Sequence, residues 1–319
     1  MKIAFFGTGD FSRNILEKIL ENKEVEVKLV VSQPDKPFGR KQELMPTPVK
    51  VLAEEKAIPV LQPEKLRNNI EFFNVLKSLD LDFIVVVAYG KIVPNEVLDA
   101  PKYSCINIHG SILPAYRGAS PIQESIKNGD KTTGVTIMFM SAGMDEWDIL
   151  AIEKVDIDIL DRTPDIFKKF ENISVPVLLK TLQWVMNGTI QWIPQDHPKA
   201  TYCSKIDKEF GKTDFKNESV TQIYNKYRAY TPWPGIYTYY NDKKFDITDC
   251  FFEENELAFD EDFQLGDVVE FEDHGKNQIG ILCKWGILIL HKVKLEGKKE
   301  MPIKDFFNGN KDFLEYNFS

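Results

Sequence analysis

The sequence predicts an α/β protein with a doubly wound sheet in its first part and a small all-β domain after it. In the first part, short apolar runs alternate with helical patterns, an order typical of a parallel sheet covered by helices. Beyond about residue 207, short β-like runs are separated by polar turn clusters, which indicates antiparallel strands. We therefore divide the chain into a first domain (residues 1–189), a linker (190–206) and a C-terminal domain (207–319).

The elements of the first domain follow from hydrophobic periodicity. Strands are predicted at Ile3–Phe6, Val25–Val31, Ile58–Leu61, Phe83–Ala88, Cys105–His109 and Gly134–Met140. Helices are predicted at Phe11–Leu20, Val49–Lys56, Asn69–Leu79 and Pro164–Gly188, with Gly188 as a C-cap and a polar loop over Ser32–Pro48. The run at Phe83–Ala88 is continuously apolar, which suits a strand buried on both faces.

The C-terminal domain reads differently. After a linker with two prolines and little periodicity, one helix is predicted at Val220–Tyr227. Strands are predicted at Gly235–Tyr240, Phe245–Phe252, Asp267–Phe271, Gln278–Cys283 and Gly286–Val293. The turn clusters between them, such as NDKK and LEGKK, indicate a small antiparallel barrel.

Composition excludes several classes of protein. The 319 residues contain no apolar run of the roughly 18 residues that would cross a bilayer, and polar residues from Gly7 onward interrupt any signal peptide. The four cysteines, at positions 105, 203, 250 and 283, are scattered without a C-x-x-C pair, which favours a reducing, cytoplasmic location over a disulfide framework or zinc ribbon. The net charge of −9 argues against a nucleic-acid coat protein, so a nucleic-acid substrate would need a local basic path.

The segment Ser104–Ile122 is the most informative about chemistry. Alternate residues of a strand share a face, so Asn107 and His109 project together at the end of a strand where open α/β sheets bind ligands. The amide offers a donor to a developing oxyanion, and the imidazole can exchange a proton near pH 7. A histidine that only satisfies local backbone groups is the alternative interpretation.

Two further segments are weaker signals. Asp145 would orient His109 if the two met, although Asp145 and Asp148 fit loop or cap roles equally well. The turn GTGDFS matches the dinucleotide fingerprint in part, with Ser12 at the third glycine, and is explained as well by a tight strand-to-helix turn.

Two segments resemble the signature of the folate-dependent formyltransferases: NIHGSILPAYRGASPI (107–122) and GVTIMFMSAGMDEWDIL (134–150). The resemblance implies a Rossmann-like formyltransferase domain followed by an OB-like domain, and 10-formyltetrahydrofolate as the formyl donor. The sequence has no metal-ligand spacing, so no metal is expected. The resemblance assigns the catalytic trio to Asn107, His109 and Asp145. It assigns the folate loop to Ser111, Ile112, Leu113 and Pro114, and the flank of the pterin pocket to Ala88, Tyr89 and Gly90.

Three segments resemble the branch of this family that acts on initiator methionyl-tRNA: the loop Gln33–Lys50, GKTDF (211–215) and TPWPGIY (231–237). The resemblance implies that the loop reaches the acceptor end of the tRNA, with Arg40, followed by Lys41, where the family has its functional arginine. We also predict tRNA contacts through Lys205 and Lys208, no membrane partner, and a monomer. Residues 201–319 carry 16 Lys and Arg against 22 Asp and Glu, so tRNA binding would depend on local clusters of lysine.

Trp147 stands where the family has glycine, and a ring there is expected to reshape the loop that carries Asp145. Three alternative functions remain open at this point. An amino-sugar nucleotide N-formyltransferase would share the trio and the folate loop but not the Gln33–Lys50 loop or the C-terminal barrel. A folate- or RNA-binding protein without catalysis would not need all three polar residues. A formyl-folate hydrolase would carry a regulatory domain ahead of the first strand.

Overall fold

The computed structural model describes residues 1–39, 42–254, 263–273 and 275–318. The chain forms two compact units. The first comprises residues 1–121, 132–156 and 166–204, and the second comprises 122–131, 157–165 and 205–319. The boundary at residues 204 and 205 falls inside the segment predicted to be a linker.

The strands up to residue 204 are β1 (Lys2–Gly7), β2 (Glu26–Val31), β3 (Lys36–Phe38), β4 (Glu43–Met45), β5 (Val60–Leu61), β6 (Phe83–Val87), β7 (Ser104–His109), β8 (Arg117–Gly118), β9 (Thr132–Phe139), β10 (Ile149–Asp156) and β11 (Tyr202–Cys203). The helices are α1 (Asp10–Leu20), α2 (Pro48–Glu55), α3 (Ile70–Ser78), α4 (Asn95–Leu98), α5 (Pro121–Lys127) and α6 (Thr163–Met186). Each strand and helix predicted for the first domain is confirmed, with its ends shifted by a few residues at most.

The central sheet has seven strands in the order β10-β9-β7-β6-β1-β2-β5. The five strands β5, β2, β1, β6 and β7 run parallel, as predicted. The other edge of the sheet is antiparallel, because β9 runs antiparallel to β7 and β10 antiparallel to β9. Strand β10 was not predicted because its buried Ile149 and Leu150 are adjacent, so the alternation typical of a strand is absent there.

The turn between β1 and α1 is closely packed. The buried residues Ser12, Ile15, Leu16 and Ile19 of α1 recur at helical spacing and form one face. The Ser12 hydroxyl donates to the carbonyl of Val87 at 2.6 Å. A Cβ added to Gly7 would lie 2.6 Å from that of Ser12, so glycine permits the close approach of helix to strand. These contacts account for GTGDFS as a tight strand-to-helix turn.

The segment Ser32–Pro48, predicted as a loop, contains a short hairpin. Strands β3 and β4 pair antiparallel, with Lys36 opposite Met45. The side chains of Leu44 and Met45 are 71% and 54% exposed, so no buried face was present to produce a strand pattern in the sequence. Arg40 and Lys41 lie outside the described residues.

Helix α6 ends in the way the sequence predicts. Gly188 has a φ of +66°. Its N–H donates to the carbonyl of Val185 and the N–H of Thr189 to that of Trp184, which is the Schellman pattern. The glycine therefore supplies the left-handed residue that closes the helix.

The second unit contains helix α7 (Val220–Tyr230), strands β12 (Ile236–Tyr240), β13 (Lys243–Glu254), β14 (Val268–Asp273), β15 (Lys276–Cys283), β16 (Gly286–Leu295) and β17 (Met301–Pro302), and helix α8 (Ile303–Gly309). The six strands form one antiparallel sheet in the order β12-β13-β16-β15-β14, with β17 paired to β16. The predicted antiparallel strands are confirmed. Ser219 and Gln222 form a capping box that starts α7. Within the described ranges, no helix is long and apolar enough to cross a membrane.

Candidate active site

Asn107 and His109 lie at the C-terminal end of β7, beside the C-terminal end of β6. Strand β7 is held between β6 and β9, with Asn107 opposite Val86 on one side and His109 opposite Thr136 on the other. His109 is only 5% exposed. Because β7 has a neighbour on each side, the positions of both side chains are fixed by the sheet.

Asp145 contacts both of these side chains. Its Oδ2 lies 3.7 Å from His109 Nδ1, and its Oδ1 accepts from Asn107 Nδ2 at 3.4 Å. The backbone N–H of Gly118 donates to Oδ2 at 3.0 Å. The structure therefore brings together the three residues that the sequence suggested, and it adds a backbone donor that the sequence did not reveal.

The His109 ring is oriented from its other side as well. Its Nε2 lies 3.0 Å from the carbonyl oxygen of Tyr116. A carbonyl oxygen only accepts, so this contact requires the proton on Nε2 and turns Nδ1 toward the carboxylate of Asp145.

The loop after β9 has to fold back to make this contact. Because β9 runs antiparallel to β7, its last residue, Phe139, lies opposite Ile106. Asp145 itself has a φ of +49°, in the left-handed region that aspartate tolerates better than most residues. Trp147 is 49% exposed, and Asp145 reaches His109 although Trp147 occupies the position next but one in this loop.

The loop from Ser111 to Pro114 follows β7 directly. The hydroxyl of Ser111 donates to the carbonyl of Ala115 at 2.6 Å, and Thr136 Oγ1 both accepts from the N–H of Leu113 and donates to the carbonyl of Ser111. Leu113 is buried, whereas Ile112 and Pro114 are half-buried. The loop is therefore held by hydrogen bonds to Ala115 and to Thr136 of β9. Ile112 and Pro114 are its more accessible side chains.

The loop from Ala88 to Gly90 follows β6 at the same edge. Tyr89 points inward, with its ring 5.4 Å from that of Phe6, and burial raises its pKa to about 12. Its carbonyl accepts from Gln33 Nε2 at 2.7 Å. Ala88 and Gly90 are exposed and have φ values of +43° and +78°, and a Cβ on Gly90 would lie 2.5 Å from Gln33 Nε2. The loop thus presents main-chain groups to solvent while Tyr89 anchors it.

The residues predicted to contact tRNA lie elsewhere in the chain. Lys205 and Lys208 are exposed in the second unit. Arg40 and Lys41 fall outside the described residues, and their role stays a prediction.

Gly118 is a position where an added methyl group should damage the site. Its φ is +121°, and a Cβ there would lie 2.2 Å from the carbonyl oxygen of Cys203. We expect Gly118→Ala to destabilise the protein by about 1–3 kcal/mol, because it combines backbone strain with displacement of β11. Calorimetry should show a melting temperature lower by roughly 2–4 °C per kcal/mol.

Gly309→Ala is the matched control for this substitution, since nothing lies within 4 Å of a Cβ placed there. An unchanged melting temperature for Gly118→Ala would contradict the close approach of Cys203.

Comparison with known proteins agrees with this architecture. Residues 1–182 match the family described as "Formyl transferase", and residues 205–311 match "Formyl transferase, C-terminal domain". A methionyl-tRNA formyltransferase of Caldicellulosiruptor saccharolyticus is 45% identical over 313 residues, covering 98% of this chain and 97% of that protein. The methionyl-tRNA formyltransferase of Lachnospira eligens is 40% identical over 311 residues, covering 97% of each chain.

Among solved structures, the fold is similar to that of WlaRD, a sugar 3N-formyl transferase crystallised with dTDP and 5-N-formyl-THF. The TM-score is 0.63 at 20% sequence identity, with 94% of this chain and 99% of that chain covered. At this identity the similarity concerns the fold alone. Because the first family match spans more than half of the sequence and the relatives align over nearly all of it, the chain belongs to the formyl transferase family.

Proposed function

We propose that this chain transfers the formyl group of 10-formyltetrahydrofolate to the α-amine of initiator methionyl-tRNA. The observation that carries the proposal is the contact of Asn107, Asp145 and His109 at the edge of the sheet. In acyl transfer between two nitrogen atoms, an amide donor can stabilise the oxyanion, and an imidazole held by a carboxylate can move the proton. Full-length similarity to proteins named methionyl-tRNA formyltransferase supports the acceptor.

The proposed reaction is a direct transfer. The amine attacks the formyl carbon, a new C–N bond forms, and the carbonyl oxygen becomes an oxyanion. The bond between the formyl carbon and N10 of the folate then breaks, and the proton lost by the amine ends on N10.

Each residue of the trio has a role that its contacts support. Asn107 gives one amide N–H to Asp145 and keeps a second for the oxyanion. His109 exchanges its contact with the Tyr116 carbonyl for one with the substrate and carries the proton, while Asp145 holds the imidazole in place.

The loops at the same edge suit the formyl donor. A pterin is a flat heterocycle with hydrogen-bond donors and acceptors along its rim. The exposed main chain at Ala88 and Gly90 offers complementary groups, and the half-buried Ile112 and Pro114 offer an apolar surface beside them. We assign donor binding to Ala88–Gly90 and Ser111–Pro114.

The cysteines support direct transfer rather than a covalent acyl-enzyme. Burial raises the pKa of the Cys283 thiol to about 12 and also raises the pKa values of Cys105 and Cys250. A buried thiol with a raised pKa is a poor nucleophile. The buried cysteines, none in a disulfide, also support action in the reducing cytoplasm, and we propose a monomer as the working form.

We assign the acceptor to Arg40, Lys41, Lys205 and Lys208 together with the C-terminal domain (207–319), and the chemistry to residues 1–189. Exposed lysines and arginines bind phosphates and make binding dependent on salt. Lys205 and Lys208 meet this requirement, since both are exposed.

The test is a formyl-transfer assay with 10-formyltetrahydrofolate and two classes of acceptor, charged initiator methionyl-tRNA and a panel of amino-sugar nucleotides. We expect formylation of the tRNA alone. Transfer only to a sugar nucleotide would show that the proposed acceptor is wrong and that the proposed active site is correct. Binding of the folate with no transfer to any acceptor would reject catalysis.

A further inference from the structure

Residues 193–203, here called the strap, lie along two loops of the active site. Ile193 and Ile149 exchange two backbone hydrogen bonds, at 2.9 and 2.8 Å. Farther along, the carbonyls of Thr201 and Cys203 accept from the N–H groups of Arg117 and Ala119. The strap is therefore hydrogen-bonded on one side to the segment that follows Asp145 and on the other to the segment that contains Gly118.

Gln195 is the side chain of the strap that reaches the Asp145 loop. It is 6% exposed. Its Nε2 donates to the carbonyl of Asp145 at 2.9 Å and to the carbonyl of Trp147 at 2.6 Å. Both N–H groups of one amide are thus committed to two carbonyls that bracket a single residue of the loop.

Arg117 fixes which way this amide points. Its guanidinium is 2% exposed and donates from Nε and Nη2 to Gln195 Oε1, at 3.1 and 2.7 Å. Nη2 also approaches His197 Nδ1 at 3.2 Å. A reversed amide would set its NH₂ against the guanidinium and its oxygen against two carbonyls, so the donors must face the loop.

The backbone of the Asp145 loop gains little support from side-chain packing. Its neighbours Met144 and Trp147 are 61% and 49% exposed, so side-chain packing contributes little there. Asp145 also adopts a left-handed backbone conformation, which costs free energy that surrounding contacts must offset.

We propose that Gln195 is a positioning residue for the reaction, which places the Asp145 carboxylate against His109, and that Arg117 orients the Gln195 amide for this task. The inference rests on the proposed function, because Gln195 would affect the reaction only through Asp145. A shift of a catalytic group by about 1 Å can cost on the order of a hundredfold in rate.

Gln195→Glu separates this role from a structural one. Glutamate has the same length and its carboxylate pairs with Arg117, so we expect the strap to stay in place and the protein to keep its fold. The unfavourable approach of its second oxygen to the two carbonyls is confined to the Asp145 loop. Glutamate has no N–H for the carbonyls of Asp145 and Trp147, so we expect kcat to fall at least about tenfold, with KM for the folate changed less than about twofold.

The control is Gln191→Glu, which makes the same change of charge at an exposed position nearby in the sequence. A second variant, Gln195→Asn, keeps the amide on a shorter arm and is expected to lower kcat to a similar extent. If Gln195→Glu fails to fold, Gln195→Asn provides the test of positioning in its place.

Two further measurements define the outcomes. In an Asp145→Ala background, Gln195→Glu should have little additional effect on kcat, because both substitutions act on the same group. Hydrogen exchange of residues 142–148 should be faster in Gln195→Glu than in the unmodified protein, a readout that does not depend on turnover. The proposal would be overturned by any of three results. These are a wild-type kcat in both Gln195 variants, an undiminished loss of kcat when Gln195→Glu is added to Asp145→Ala, and unchanged hydrogen exchange of residues 142–148. An unmodified protein that formylates no acceptor would instead reject the proposed function, and the exchange rates would still test the positioning.

Discussion

Replacing His109 with alanine is expected to lower kcat for formyl transfer by about 10²–10⁴-fold, the range typical of losing a general acid–base group. The imidazole is buried, contacts the Tyr116 carbonyl through Nε2 and faces the Asp145 carboxylate through Nδ1. The Asp145 carboxylate is the titratable neighbour, and it contacts the imidazole through Nδ1, on the side of the ring away from the Nε2 that faces Tyr116. The measurement is steady-state transfer to charged initiator tRNA, with folate binding followed separately by calorimetry.

His109→Gln distinguishes proton transfer from hydrogen bonding. Its side-chain amide can still donate to the Tyr116 carbonyl but cannot carry a proton at neutral pH. We expect this variant to match the unmodified protein in melting temperature and to resemble His109→Ala in kcat. Turnover within about threefold of the unmodified protein in both variants would show that His109 is structural only.

Phe245→Ala should give the largest loss of stability, about 3–5 kcal/mol. The ring is fully buried in the second unit and contacts those of Phe306, Phe313 and Phe318, with centroids 5.2, 5.7 and 5.9 Å away. Its removal leaves a cavity between side chains that come from α8 and from the C-terminal residues after it, and these cannot all move in to fill it. Urea denaturation of the full chain is the measurement, with the transition of the second unit followed by hydrogen exchange in β13 and β16.

Trp285→Ala is the control for this prediction. It also removes a large aromatic ring from the second unit, but that ring is 74% exposed, so the expected change is within about 0.5 kcal/mol. Equal effects of the two substitutions would contradict the assignment of Phe245 to the core.

The local pattern of the sequence determined most of the secondary structure. Six of the seven strands of the central sheet were predicted from short apolar runs, of which FIVVV is buried throughout, and the strands of the second unit from short β-like runs between polar turns. The period of two in a strand was enough to place Asn107 and His109 together at the end of β7. These features depend on neighbours within a few residues, so they can be read from the chain itself.

The assembly of the active site depended on contacts between residues far apart in the sequence. Asn107 and Asp145 are 38 positions apart, and Asp145 and Gln195 are 50 positions apart. Whether such residues meet is decided by strand direction and by the path of the loops, and neither is encoded in a hydrophobic period. Antiparallel β9 ends opposite Ile106, so the Asp145 loop must fold back to reach His109. The segment after α6, which has no regular pattern in the sequence, becomes the strap because its backbone pairs with β8. The sequence alone therefore determined the elements and the resemblance to a family, whereas the tertiary structure decided how Asp145 is held beside His109.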